Sequence, residues 1–403
     1  MTTWQSVKVA ELGKVVTGKT PKTAIPENYG GDIPFLTPSD DMSVKYVNAT
    51  AKTLSEKGVA EVKNALLPPD SVCVSCIGSD LGKVVITTEN TVTNQQINSI
   101  IVDKEHFDVS FIYYAMLILG KKLNFISKTS TAVPIVNKSS FSSYEIMCPS
   151  LEQQKTIAAI LSSLDSKIEC NREINDNLER QVQAYFQELF VDNADPAWTL
   201  GTISDLGTVV GGSTPSKSKP EYYTEDGIAW ITPKDLSINK AKFISHGEND
   251  ITELGLKNSS ASIMPEGTVL FSSRAPIGYI AIASGEVTTN QGFKSVVPKP
   301  EIGTAYVYCF LKHTLPVIEG MASGSTFKEV SGSTMKNVPA VIPDTETLTC
   351  FNEFCAPIFA QQRILEEQNQ SLAALRDSLL PKLMSGELDV LSLIHISEPT
   401  RPY

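Results

Sequence analysis

No apolar run in the sequence reaches the ~18 residues that a membrane-spanning helix needs. The longest, around residues 111–119, is shorter and carries two tyrosines. The N-terminus, MTTWQSVKV, lacks the basic and apolar regions of a secretory signal. Cysteine is sparse: seven residues, odd in number and scattered, which fits a reducing compartment rather than a disulfide framework. No membrane association and a cytoplasmic location are therefore expected. An excess of basic charge is missing too, since the net charge is -11.

Catalytic motifs are also missing. GSDLGKV at 78–84 falls one residue short of a phosphate-binding loop and lacks the hydroxyl residue after lysine that would hold a metal. LPPD at 67–70 is not the N/D-P-P-aromatic motif of an amino-methyltransferase. Cys73 and Cys76 form a lone CxxC, and no second pair lies nearby to complete a zinc site. The four histidines are scattered without a carboxylate or cysteine partner pattern. Neither an enzyme nor a metal protein is expected.

The acidity is uneven. Residues 1–150 hold 14 basic and 14 acidic side chains, and residues 196–343 hold 12 and 13. Residues 151–195 and 344–403 each hold 4 and 9. Two large segments are thus close to neutral, and each can carry a basic face if its acids lie on the other side.

Those segments repeat one another. Trp4 and LGKVVTGKTP at 12–21 return as Trp198 and LGTVVGGSTP at 206–215. IPFLTPSD at 33–40 returns as IAWITPKD at 228–235, and TNQQINSI at 93–100 as TNQGFKSV at 289–296. Self-similarity at a fixed separation marks duplicated structural units. Both segments are rich in Gly, Pro, Ser and Thr. Short β-type runs stand at 71–76, 83–88, 268–272 and 295–297, with helices expected at 108–120 and 303–313. Each reads as a compact α+β domain.

A heptad helix follows each domain. In 151–190 the positions Ile157, Leu161, Leu164, Ile168, Asn171, Asn175, Leu178, Val182, Tyr185 and Leu189 step by four and three. In 346–383 the seam runs Leu348, Phe351, Cys355, Ile358, Gln362, Leu365, Asn369, Leu372, Arg376, Leu379 and Leu383, with Pro357 a possible kink or start. Asn171, Asn175, Gln362, Asn369 and Arg376 place polar groups mid-seam, where they fix register at some cost in stability. The two helices are expected to pair antiparallel as a coiled coil, holding the domains apart on a rod. Apolar residues outside the seam (Ile160, Ile174, Phe186, Phe190) are expected to need a partner protein. Residues 391–403 continue no pattern and read as a disordered or non-native tail.

The division is therefore 1–150, a first domain; 151–195, a helix and linker; 196–343, a second domain; 344–390, a second helix; and the tail. This organisation, with LGKVVTGKTPKT…YGGDIPFLTPSD, LGTVVGGSTPSKSKPEYY…IAWITPKDL, the helix at 151–190 and LLPKLMSGELDV at 379–390, resembles the specificity subunit of type I restriction–modification systems. The resemblance covers residues 4 to 390. It implies two target recognition domains, each reading half of a bipartite, asymmetric site in double-stranded DNA. It implies that the helices act as a ruler and dock two methyltransferase subunits, which restriction motor subunits join. The methyl donor S-adenosylmethionine is expected in the methyltransferase subunits, with no cofactor in this chain.

Polar positions that differ between the halves are where two targets would be told apart. Arg274 stands opposite Ile77, Ser79 opposite Pro276, Gln96 opposite Gly292, and Asn98 opposite Lys294. Arg274, Gln96, Asn98, Lys294 and Ser79 are the candidate base readers, since Arg matches guanine and Asn or Gln matches adenine in the major groove. Lys19, Lys22, Lys128, Lys217, Lys219 and Lys328 are candidate phosphate contacts. The alternative reading is a two-domain coiled-coil scaffold for a protein or glycan.

Overall fold

The computed structural model of the chain describes residues 4–47, 49–78, 81–128, 135–324 and 328–388, with the backbone alone at 127 and 128. Ser79, the Lys128 side chain and the tail at 391–403 lie outside the described residues. Two compact units divide it: residues 1–168 with 371–403, and residues 169–370. The units cut across the long helices, so each holds one domain and a length of both helices.

The first domain is built on a five-stranded sheet of β1 (Gly13–Thr17), β2 (Tyr46–Val47), β3 (Ser71–Ser75), β4 (Val84–Thr87) and β5 (Ile97–Val102). Its order is β1-β5-β3-β4-β2, antiparallel except for the final β4–β2 pair. In the second unit stand β6 (Gly207–Gly211), β7 (Phe243–Ile244), β8 (Val269–Ser273), β9 (Ile277–Ala283) and β10 (Lys294–Pro298). The order β6-β10-β8-β9-β7 is the same, again with one parallel pair at the edge. The strands fall within a residue or two of the β-type runs, because runs such as VCVS and VVIT are buried on both faces and favour branched side chains.

One helix covers each sheet. Helix α1 (Val109–Lys128) lays Phe111, Ile112, Tyr114, Met116 and Leu119 into the first core. It outruns the expected 108–120, and its Val109–Ile126 stretch is long and apolar enough to cross a membrane. That corrects the reading that no stretch has this length; half of the stretch is buried in the core of its unit. In the second unit the equivalent helix runs Thr304–Gly320.

The long helices are α2 (Leu151–Gln187), closed by a π turn at Glu188–Asp192, and Thr345–Met384. In chain order the helix Thr304–Gly320 is α3 and Thr345–Met384 is α4. Helix α4 starts at Thr345 and continues through Pro357. Every seam position is buried or half-buried. Phe186 and Phe190, assigned above to a partner-facing surface, instead pack at tilted and edge-on angles against Tyr306 and Phe351 in the core of the second unit. Ile160 packs against the first core, and Ile174 alone of the four is exposed. The helix uses two faces, one for the seam and one for the domain, which the heptad alone does not reveal.

Candidate nucleic-acid interface

The repeated motifs form the loops at one end of each sheet, and their side chains hold those loops together. In the Thr-Pro-x-Asp motif of the second unit, Thr232 N–H and Oγ1 both donate to Asp235 Oδ2 at 2.7 Å, capping a short helix at Pro233–Ile238. Thr37 makes the same pair of bonds to Asp40, at 2.7 and 2.8 Å. Asn94 Oδ1 accepts from Gln96 N–H at 3.0 Å, and Asn290 Oδ1 from Gly292 N–H at 2.8 Å. Thr20 donates to Gln95 and Thr214 to Gln291. Tyr29 and Tyr223 donate to the carbonyls of Pro21 and Pro215. A Cβ on Gly18 would run into the Asn94 carbonyl, and one on Gly212 into that of Asn290.

In the second unit these loops surround an open cavity of about 500 Å³. Thr214, Lys217, Trp230, Lys234, Arg274 and Gln291 line it. Arg274 lies at the end of β8, where the strand leaves the sheet. Its side chain is 37% exposed, with Nη1 3.6 Å from Glu329 Oε2. Lys294 is drawn in beside it, 16% exposed, with Nζ 3.9 Å from Glu329 Oε1 and 3.3 Å from the Phe293 carbonyl. Burial holds its ammonium below the ordinary range, Glu329 opposing and Arg274 adding to the effect. The cavity therefore joins three basic groups, Lys217, Lys234 and Arg274, to amide donors and acceptors on Asn249, Asn290 and Gln291. Its acids are engaged: Asp235 caps the helix, and Glu248 meets Lys234 at 2.5 Å.

The other candidates scatter. Gln96 is half-buried and its Oε1 accepts from Asn94 at 2.9 Å. Asn98 is 3% exposed; its Oδ1 accepts from Thr17 at 2.6 Å and its Nδ2 donates to the Val136 carbonyl at 3.1 Å. Burial within β5 thus removes Asn98 from the groups that can reach a base. Lys19, Lys22, Lys217, Lys219 and Lys328 are exposed. Lys219 Nζ donates to Tyr222 Oη at 3.0 Å, and that bond raises its pKa. Cys73 and Cys76 are core thiols, and burial pushes Cys73 up to about 12. Two histidines do have carboxylate neighbours, against the reading above: His106 lies 2.8 Å from Asp103, and His246 lies 3.4 Å from Asp250.

Two lysines that no motif marked tie each domain to its helices. Lys45, one residue before β2, donates to Ser110 at 3.0 Å and to Ser162 of α2 at 2.7 Å. Burial lowers its pKa to about 8, against the pull of Asp165 and Asp108. Asp165 in turn accepts from Tyr114 at 2.5 Å and from Arg376 of α4 at 2.8 Å. In the second unit Lys242, one residue before β7, donates to Glu179 of α2 and Gln362 of α4, both at 2.8 Å. Tyr308 and Lys312 also meet Glu179, at 3.1 and 2.6 Å. Burial would raise the Glu179 carboxyl, but the two ammonium groups override it and hold it at about 2.

The polar seam residues meet across the helices inside each unit. In the second, Asn171 Nδ2 donates to Asn369 Oδ1 at 2.9 Å, while Gln362 Nε2 donates to the Asn175 carbonyl at 3.2 Å. Partner numbers fall along α4 as they rise along α2, so these stretches run antiparallel. Arg376 and Asp165 make the corresponding contact in the first unit.

The family described as type I restriction modification DNA specificity domain matches the chain twice, at residues 1–180 and 197–375. The type I restriction enzyme MjaIX specificity subunit of Methanocaldococcus jannaschii is 40% identical over 191 residues, 45% of this chain and 44% of that one. The HindI specificity subunit of Haemophilus influenzae is 22% identical over 96% of this chain and all of its own length. A crystal structure of the type I system S subunit from M. genitalium covers 95% of this chain and 96% of its own, with a TM-score of 0.54 at 18% identity, which supports the fold.

Proposed function

The chain belongs to the type I restriction modification DNA specificity family, matched over both of its halves, and from that premise we propose that it reads a bipartite, asymmetric site in double-stranded DNA. Each domain takes one half of the site. The observation that carries this is the pair of five-stranded sheets with one strand order, bearing different side chains on equivalent loops. A shared frame with unlike loops suits a target whose halves differ in sequence and lie at a set separation. Arg274, Lys217 and Lys234 supply the cations of one loop cluster, and Gln291 and Asn249 its amides. Lys19 and Lys22 would grip phosphate on the other domain.

The chain directs chemistry that it does not perform. Two methyltransferase subunits dock on the paired helices and carry S-adenosylmethionine, and restriction motor subunits join them. Selection of a random-sequence duplex library by the complex with its methyltransferase subunits tests this. Two short specified segments around an unspecified spacer are expected. A library returned without sequence enrichment would refute the proposal.

A further inference from the structure

The two units share an isolated backbone bridge that lies outside the sheets. In the first, Ile77 pairs with Ile135; in the second, Arg274 pairs with Glu329. Four hydrogen bonds, two in each unit, establish the equivalence without reference to sequence. Cys76 N–H donates to the Gln96 carbonyl at 2.8 Å and Ser273 N–H to that of Gly292 at 2.7 Å. Val136 N–H donates to the Cys76 carbonyl at 2.9 Å, and Val330 N–H to that of Ser273 at 2.9 Å. One backbone frame therefore presents two isoleucines in one domain and an arginine–glutamate pair in the other. Ile135 is 64% exposed, which the core of its unit does not explain. Arg274 and Glu329 are 37% and 38% exposed, so neither is sealed into the fold.

We propose that this bridge is the specificity-determining element of each domain, with Ile77/Ile135 meeting the 5-methyl group of a thymine and Arg274/Glu329 meeting a guanine. The proposal rests on the DNA-recognition reading above and deepens it. Apolar side chains recognise the thymine methyl, the sole apolar group on the major-groove edges, and the arginine fork matches guanine O6 and N7. Glu329 is the positioning residue: it holds Arg274 and Lys294 from the neighbouring strand and sets the direction of the fork. Its carboxylate has no donor to offer guanine O6 or N7, so its influence passes through Arg274.

Base analogues in the selected duplex test this with the folded wild-type complex. Deoxyuridine in place of thymidine removes the methyl group, and 7-deazaguanine removes N7. At one position in the half-site read by the first domain, deoxyuridine is expected to weaken binding about fourfold, the effect of one apolar carbon. In the other half-site, 7-deazaguanine at one position is expected to weaken it about fivefold or more. Ile135→Ala, an exposed truncation, should abolish the first sensitivity and leave the second. Arg274→Ala should do the reverse, and Glu329→Gln should reduce the 7-deazaguanine effect while leaving that of deoxyuridine. A complex that selects a sequence yet responds to neither analogue, or whose responses persist in both alanine variants, overturns the proposal alone. A complex that selects no sequence overturns the DNA-recognition reading beneath it.

Discussion

Replacing Lys242 by Met removes an ammonium that joins the second domain to both long helices. Methionine keeps most of the side chain's length and puts apolar atoms near the place where Nζ now lies over the Phe359 ring, 3.4 Å from its centroid. What disappears is the pair of 2.8 Å bonds to Glu179 and Gln362. Unpairing a buried charge costs about 3–5 kcal/mol. Glu179 keeps Lys312 at 2.6 Å, a residue 37% exposed, so about 2–3 kcal/mol is expected here. For a unit of this size that lowers its melting transition by roughly 4–12 °C. The pH dependence has a definite sign. Glu179 is held at about 2, below its usual 4.5, so the folded state binds fewer protons than the unfolded one in that window. Its contribution is complete above pH 4.5 and is lost as pH falls toward 2. Scanning calorimetry of wild type and variant at pH 7 and pH 3 measures both effects. The stability gap should narrow at pH 3. A variant that melts within a degree of wild type at pH 7, or a gap that widens in acid, would refute the reasoning.

Lys45 gives a slope of the same sign in an alkaline window: with its folded pKa at about 8 against 10.5, the unfolded chain binds more protons between those values. Stability of the first unit should therefore rise from pH 8 toward 10, relative to Lys45→Met, in denaturant titrations; parallel curves would contradict this. Asn171→Leu with Asn369→Leu removes both partners of the 2.9 Å amide contact and the buried, unpartnered Asn171 Oδ1. It should stabilise the second unit by about 1 kcal/mol while broadening the pattern of engineered cysteine cross-links between the helices. Gly18→Ala and Gly212→Ala should each cost roughly 1–3 kcal/mol, because the added methyl meets a backbone carbonyl; a change under about 0.5 kcal/mol in urea denaturation would remove the close approach from the account.

Much of the frame was legible because it is periodic. The heptad positions are buried or half-buried along both helices, and the repeated Thr-Pro and Asn-Gln motifs do tie equivalent loops. Periodicity stops short of the second face of a helix. Phe186 and Phe190 fall outside the seam but pack into the domain. Asn98 has the chemistry of an adenine reader, yet its strand turns it inward, and alternation in so short a strand does not say which way it points. Lys45 and Lys242 escaped because they differ in number by 197 while the nearby Thr-Pro-x-Asp motifs differ by 195, which breaks the alignment at that point. Glu329 escaped for another reason: its partner lies 55 residues earlier, and a single bridge leaves no run to read.

The central claim is that two copies of one frame read two different half-sites. Single-molecule sequencing of DNA from a host expressing this chain with its methyltransferase subunits tests it most directly. The account predicts one methylated motif with two unlike specified segments and a fixed unspecified spacer. A palindromic motif, a single contiguous one, or no motif at all would contradict it.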